Sequence, residues 1–125
     1  MLCNLSIFRT VSRDHQHHGV ERALGFDGDY VNPEMLDIPA ADFRSHDLST
    51  PLRISERFDL AVSLEVGEHL LPERADSLVD DLCTLSDVVL YSAAIVSQAG
   101  DGHVNEQWGS WWQARFAQRG YERFD

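Results

Sequence analysis

Two carboxylates and an imidazole stand close together at Glu65, Glu68 and His69. Such groups accept and deliver protons near neutral pH, and they hold polar ligands. A second concentration follows at His103, Asn105 and Glu106, and single acids stand at Asp27 and Asp47. His15, His17 and His18 form a third group. Three histidines suggest a metal, yet no carboxylate or thiolate partner sits at a suitable spacing, and a solvated helix end stopped by Gly19 is the competing reading. The sequence alone therefore names no metal ligand.

The elements that must position these residues follow from periodicity and punctuation. Leu60 to Leu64 reads as a buried strand, broken by the polar loop that carries Glu65, Glu68 and His69. Pro72 to Leu85 reads as a helix, with Ala75, Leu78, Val79, Leu82 and Leu85 on one face and Asp76, Asp80 and Asp81 mostly on the other. Val20 to Phe26 reads as a strand closed by the turn Asp27-Gly28-Asp29. Asn32 to Leu36 reads as a helical turn capped by Asn32. Ala41 to His46 reads as a short edge strand followed by Asp47-Leu48. Asp87 to Ala94 reads as a second such strand, and its near-continuous apolar run predicts cover on both faces. A loop over Gln98 to Gln107 carries His103, Asn105 and Glu106. Trp108 to Arg119 reads as a helix stopped by Gly120, and Tyr121 to Phe124 as the start of another strand. Residues 1–18 leave two readings open, a helix with Leu2, Leu5, Ile7, Phe8 and Val11 on one face, or a short strand over the first eight residues.

Strands alternating with helices predict an α/β fold with a mainly parallel sheet and flanking helices. Such sheets bind ligands beyond the carboxyl ends of their strands. Four polar clusters then fall after four strands: Asp27 with Asp29, Asp47, Glu65 with Glu68 and His69, and the loop from Gly100 to Gln107. Any one of them also reads as a solvated turn. Their placement at a single edge is what argues for a site.

The 125 residues fit one domain. The net charge of -11, from 21 acids against 10 basic residues that are all Arg, argues against nucleic-acid binding and is compatible with a cationic ligand. No apolar run approaches a membrane span, and no signal peptide is evident, so the expected location is cytoplasmic with no membrane partner. Cys3 and Cys83 lack metal-ligand spacing, no disulfide is expected between them, and Cys83 reads as core.

From Gly19 onward the chain resembles a class I S-adenosylmethionine-dependent methyltransferase. The carriers are Leu24-Gly25-Phe26-Asp27, His46-Asp47-Leu48, Phe58-Asp59-Leu60 through Glu68-His69-Leu70, and Val88-Val89-Leu90-Tyr91-Ser92-Ala93. His103-Val104-Asn105-Glu106-Gln107-Trp108 is similar to a stretch after the fifth strand in one bacterial group of these enzymes. The resemblance implies a Rossmann-like domain whose cofactor is S-adenosylmethionine and whose acceptor is a small molecule. It implies that Asp27 holds the ribose, Asp47 the adenine amino group with Leu48 beside the ring, and Ser63, Leu64 and Glu65 the methionine end. Glu68, His103, Asn105 and Glu106 are then expected on the acceptor side, with His69 or His103 as general base for a hydroxyl acceptor.

The sequence departs from that pattern at its start. The family opens with a strand and a glycine-rich turn, and no Gly-x-Gly precedes Asp27. The expectation is an incomplete, N-terminally truncated domain over residues 1–125 whose methyl transfer is weak or lost. In the family, the first strand lies between the one ending at Asp27 and the one starting at Phe58. Residues 2–8 supply a substitute, or a partner chain completes the sheet, or the sheet is split. The alternative function is a non-catalytic methyltransferase remnant that binds a partner through its unfinished sheet.

Overall fold

The computed structural model describes residues 4–10 as backbone, and residues 20–32, 34, 36 and 38–124. His15, His17, His18 and Cys3 lie outside the described residues. Strands β1 (Asn4–Thr10), β2 (Val20–Asp27), β3 (Phe43–Ser45), β4 (Leu60–Leu64) and β5 (Val89–Ser92) form one sheet in the order β3-β2-β1-β4-β5. The pairs β2 with β3 and β4 with β5 are parallel. Strand β1 runs antiparallel to both β2 and β4, so the other four strands share one direction.

The centre of the sheet is thus filled by the N-terminal segment, and of the two readings open there the strand is the one observed. Leu5 pairs with Phe26 on one side and with Ser63 on the other. Its direction has a physical reason. Only residues 11–19 join β1 to β2, and a parallel crossover needs roughly a dozen residues or more. An antiparallel return needs far fewer. It satisfies the backbone groups of β2 and β4 that would otherwise lack partners.

Helix α1 (Ala75–Leu85) follows a short 3-10 turn at Pro72–Arg74, and helix α2 (Gly109–Ala117) ends the chain's regular structure. Leu78, Val79, Leu82 and Leu85 of α1 are buried against Phe26, Ala61 and Phe58, and Trp112 of α2 joins the same core. Cys83 is half-buried against that core. Asp81 is buried rather than solvated, because it pairs with Arg74 inside the protein.

Two sequence expectations fail at the far edge. Strand β5 is not covered on both faces. Val89 and Tyr91 face the core, while Val88 and Leu90, on the alternate face, are 58% and 53% exposed. Among the described residues, Tyr121 to Phe124 form no strand. Gly120, at a φ of 83°, turns the chain out of α2. The segment is then held by a side chain instead of a ladder: the Tyr121 hydroxyl donates to Ser86 O (2.5 Å) and Cys83 O (3.1 Å).

Candidate functional site

The carboxyl ends of β2, β3 and β4 converge on a cavity of about 470 Å³. Ligand cavities span about 300–1,000 Å³. Asp27, Gly28 and Tyr30 come from the end of β2, Asp47, Leu48 and Ser49 from the end of β3, and Val66, His69 and Leu70 from the end of β4, with Gly102 contributed by the loop after β5. A second cavity of about 460 Å³ lies beside β5 and α2, lined chiefly by Leu90, Tyr91, Trp112 and Phe116. It holds none of the clustered carboxylates and imidazoles, so the chemistry belongs to the first.

Asp27 is buried at the last residue of β2. Its Oδ1 accepts from the Gly28 N–H (2.8 Å) and from the Tyr30 hydroxyl (2.5 Å). Its Oδ2 is buried with no hydrogen-bond partner among the described residues. An oxygen left in that state is costly unless something bonds to it. Asp47 is exposed and accepts from both the Ser49 N–H (3.0 Å) and the Ser49 hydroxyl (2.7 Å). Those bonds, the hydroxyl's foremost, hold its carboxyl below the usual range.

Leu48 is buried beside Asp47, and its position has a cause that the sequence reading missed. The Arg74 guanidinium donates to Leu48 O (3.1 Å), to Thr50 O (3.0 Å), to the Ser77 hydroxyl (2.7 Å) and to Asp81 (2.5 Å). The same Asp81 oxygen accepts from the Leu52 N–H (3.0 Å). One buried ion pair therefore ties the cavity wall to α1. A signal was present: Arg74 and Asp81 flank Leu78 at helical spacing, opposite charges on the apolar stripe.

Beyond β4 the chain makes a 3-10 turn over Gly67–His69. Glu68 points inward and is fully buried; neither carboxylate oxygen makes a well-formed hydrogen bond among the described residues, although the backbone N–H groups of Glu68 and Ala94 and the Glu65 carboxyl stand near it. Burial, and after it the neighbouring Glu65, pushes its carboxyl up. Its backbone carbonyl accepts from the N–H groups of Val104 (2.8 Å) and Asn105 (3.0 Å). Those two bonds bring the loop after β5 onto the turn, so that the rings of His69 and His103 meet edge to face with centroids 4.9 Å apart. His69 Nδ1 lies 3.1 Å from Gly102 O, and His103 Nδ1 lies 2.8 Å from Glu106 Oε1. The Ser97 N–H donates to the other Glu106 oxygen (3.0 Å). The bond from His103, first among several, lowers the Glu106 carboxyl. Asn105 is buried, and its carbonyl oxygen accepts from the Gln107 amide (2.9 Å).

The residues implied for the cofactor divide. Asp27, Asp47 and Leu48 line the cavity, whereas Ser63, Leu64 and Glu65 do not. Ser63 is buried within β4, Leu64 is 40% exposed, and Glu65 turns away to accept from the Ser92 hydroxyl (2.8 Å). The residues implied for the acceptor side, Glu68, His103, Asn105 and Glu106, form one cluster with His69, which also reaches the cavity. Glu65, Ser97 and Ala99 are the described non-glycine residues at positive φ (55°, 69° and 56°), and all three lie in the two loops that build this cluster. Backbone strain of this sort concentrates at functional sites.

No family model, curated protein or solved structure matches this chain.

Proposed function

We propose that the cavity at the carboxyl ends of β2, β3 and β4 binds S-adenosylmethionine, and that the chain is a variant class I methyltransferase domain of Rossmann-like character acting on a small-molecule acceptor. The observation that carries the reading is the convergence of Asp27, Asp47, Leu48 and His69, from three separate strand ends, on one cavity of about 470 Å³. The strand order adds support. The family's first strand lies between those corresponding to β2 and β4, and β1 occupies that place in reverse direction.

The residues present fit the ligand in part. The unpartnered Asp27 Oδ2 is an acceptor for a ribose hydroxyl. The Tyr30 hydroxyl already donates to Oδ1, so Oδ2 is the carboxylate oxygen that would hold the ribose. Asp47 is exposed to accept an exocyclic amine beside the buried Leu48. Bound S-adenosylmethionine would supply an electrophilic methyl group. The chain's own part is to hold donor and acceptor in line, with His69 or His103 taking the proton of a hydroxyl acceptor through the nitrogen not spent on Gly102 O or Glu106. The reversed β1 brings no glycine-rich turn to the methionine end, so binding should be weak.

A second reading has its own observation. Val88 and Leu90 leave an apolar stripe on β5, which among the described residues pairs only with β4. A partner strand added there would make the chain a non-catalytic binding module. Calorimetric titration with S-adenosylhomocysteine separates the two. Micromolar binding that disappears in Asp27→Ala supports the cofactor site, and no binding by a folded chain favours the module.

A further inference from the structure

The geometry points to a divalent transition-metal site formed by Glu68, His69 and His103, with Zn²⁺ as the cation to test first. One ligand atom from each residue lies within 4.8 Å of the other two. A cation at the centre of a triangle of that side sits about 2.8 Å from each corner, against about 2.0–2.2 Å for zinc bound to imidazole or carboxylate. Each ligand atom therefore has to close by about 0.6–0.8 Å at most, a shift that a small rotation of each side chain supplies.

Three observations beyond proximity favour a cation. Glu68 is fully buried with neither oxygen in a well-formed hydrogen bond among the described residues, a state that a positive charge relieves. Each imidazole has its Nδ1 beside an acceptor, Gly102 O for His69 and Glu106 for His103. The proton those contacts require on Nδ1 leaves the lone pair on Nε2. Outer-shell carbonyls and carboxylates of this kind orient metal-binding histidines and raise their basicity. Finally, Gly100 makes room for the His103 ring: a Cβ there would stand 2.5 Å from both Nε2 and Cε1.

Two imidazoles and one carboxylate select a borderline cation over Mg²⁺ or Ca²⁺, which take oxygen ligands. Three protein ligands leave a coordination position open. His69 also lines the cavity at the strand ends, so the metal site borders that cavity. A ring that ligates a cation takes up no proton, so this role and that of general base exclude each other. The metal site does not depend on the methyl-transfer reading, because it is tested without any S-adenosyl ligand.

The experiment is calorimetric titration of the chelator-stripped full chain with ZnCl₂. The expected result is one Zn²⁺ per chain, weakened at least tenfold in each of Glu68→Gln, His69→Ala and His103→Ala. The triple variant His15→Ala/His17→Ala/His18→Ala should keep that one equivalent. Loss of binding in the triple variant alone, or no binding at all, overturns the proposal. Imidazole NMR of the unaltered chain covers the case in which a variant fails to fold. Zinc should shift the ring resonances of His69 and His103, and shifts confined to His15, His17 and His18 contradict the site.

Discussion

Two buried acids, Asp81 in α1 and Glu68 in the turn after β4, are treated in opposite ways. Asp81 sits against Arg74, and the guanidinium reaches two backbone carbonyls and a hydroxyl besides. Glu68 is at least as deeply buried, has no cation beside it among the described residues and stands next to another acid, Glu65. The first arrangement is what a structural charge requires: full pairing and bonds for the remaining protons. The second makes no sense as stability. Its surroundings agree, since the same region holds the backbone strain at Glu65, Ser97 and Ala99 and the unbonded Oδ2 of Asp27. A fold that satisfies one buried carboxylate so thoroughly and leaves another bare has a use for the bare one.

The contrast breaks most sharply under mutation. Arg74→Met strands Asp81 and releases the wall at Leu48, and it should cost about 3–5 kcal/mol. Glu68→Gln, measured with chelator present, should cost little or add stability, because it removes a buried acid that stands beside Glu65 and makes no well-formed hydrogen bond among the described residues. Urea unfolding of both variants compares them directly. A large loss in Glu68→Gln would mean that the carboxylate has a structural partner after all.

Gly67 sits between the two regions and sharpens the boundary. A Cβ there would run into the Tyr91 hydroxyl and the Trp112 ring, 2.7 Å from its Cζ2. Both rings pack on the core, so neither can swing aside cheaply. Gly67→Ala should lower stability by about 1–3 kcal/mol in thermal unfolding. An unchanged midpoint would show that the turn carrying Glu68 and His69 is not pressed against the core.

Much of this frame is legible in the sequence. The short apolar run Leu60–Leu64 and the 3.6-residue stripe of α1 predict their own elements, and an acid or a polar loop after each strand predicts the edge that Asp27, Asp47 and His69 share. What stays hidden depends on contacts distant in the chain. The apolar residues of the N-terminal segment leave helix and strand both open and say nothing of direction, which the short link to β2 decides. The pattern of β5 is the same whether one face or two are covered. Arg74 looks like an ordinary first-turn charge until the loop from Leu48 to Leu52 folds over it. His103 meets His69 through a loop that bonds to Glu68 O and in which Ser97 and Ala99 adopt left-handed conformations, and neither residue announces one as a glycine would.

On the satisfied side, Tyr121 offers a smaller effect with a pH signature. Burial foremost, with Cys83 beside it, pushes its phenol up to about 12 from an ordinary value of 10. A folded value above the unfolded one means stability that is complete below pH 10 and lost as pH rises through about 12. Tyr121→Phe removes the hydrogen bonds to Ser86 O and Cys83 O, at a cost of about 1 kcal/mol at neutral pH. It should also flatten the stability profile between pH 10 and 12. Equal alkaline loss in both proteins would assign that loss to another group.

The smallest effect tests whether the strain on the other side is real. Ala99 at a φ of 56° is in a region that disfavours any side chain by about 1–2 kcal/mol, whereas glycine enters it freely. Glycine also loses more conformational freedom on folding, about 0.5–1 kcal/mol relative to alanine. The difference leaves Ala99→Gly more stable by about 0.5 kcal/mol. The backbone around Ala99 helps to hold the Glu106 carboxyl low, and Glu106 in turn bonds His103. Glycine keeps the same backbone N–H in place, so stability should rise with zinc affinity unchanged. If stability falls instead, the loop does not adopt this conformation, and the approach of His103 to Glu68 loses its support.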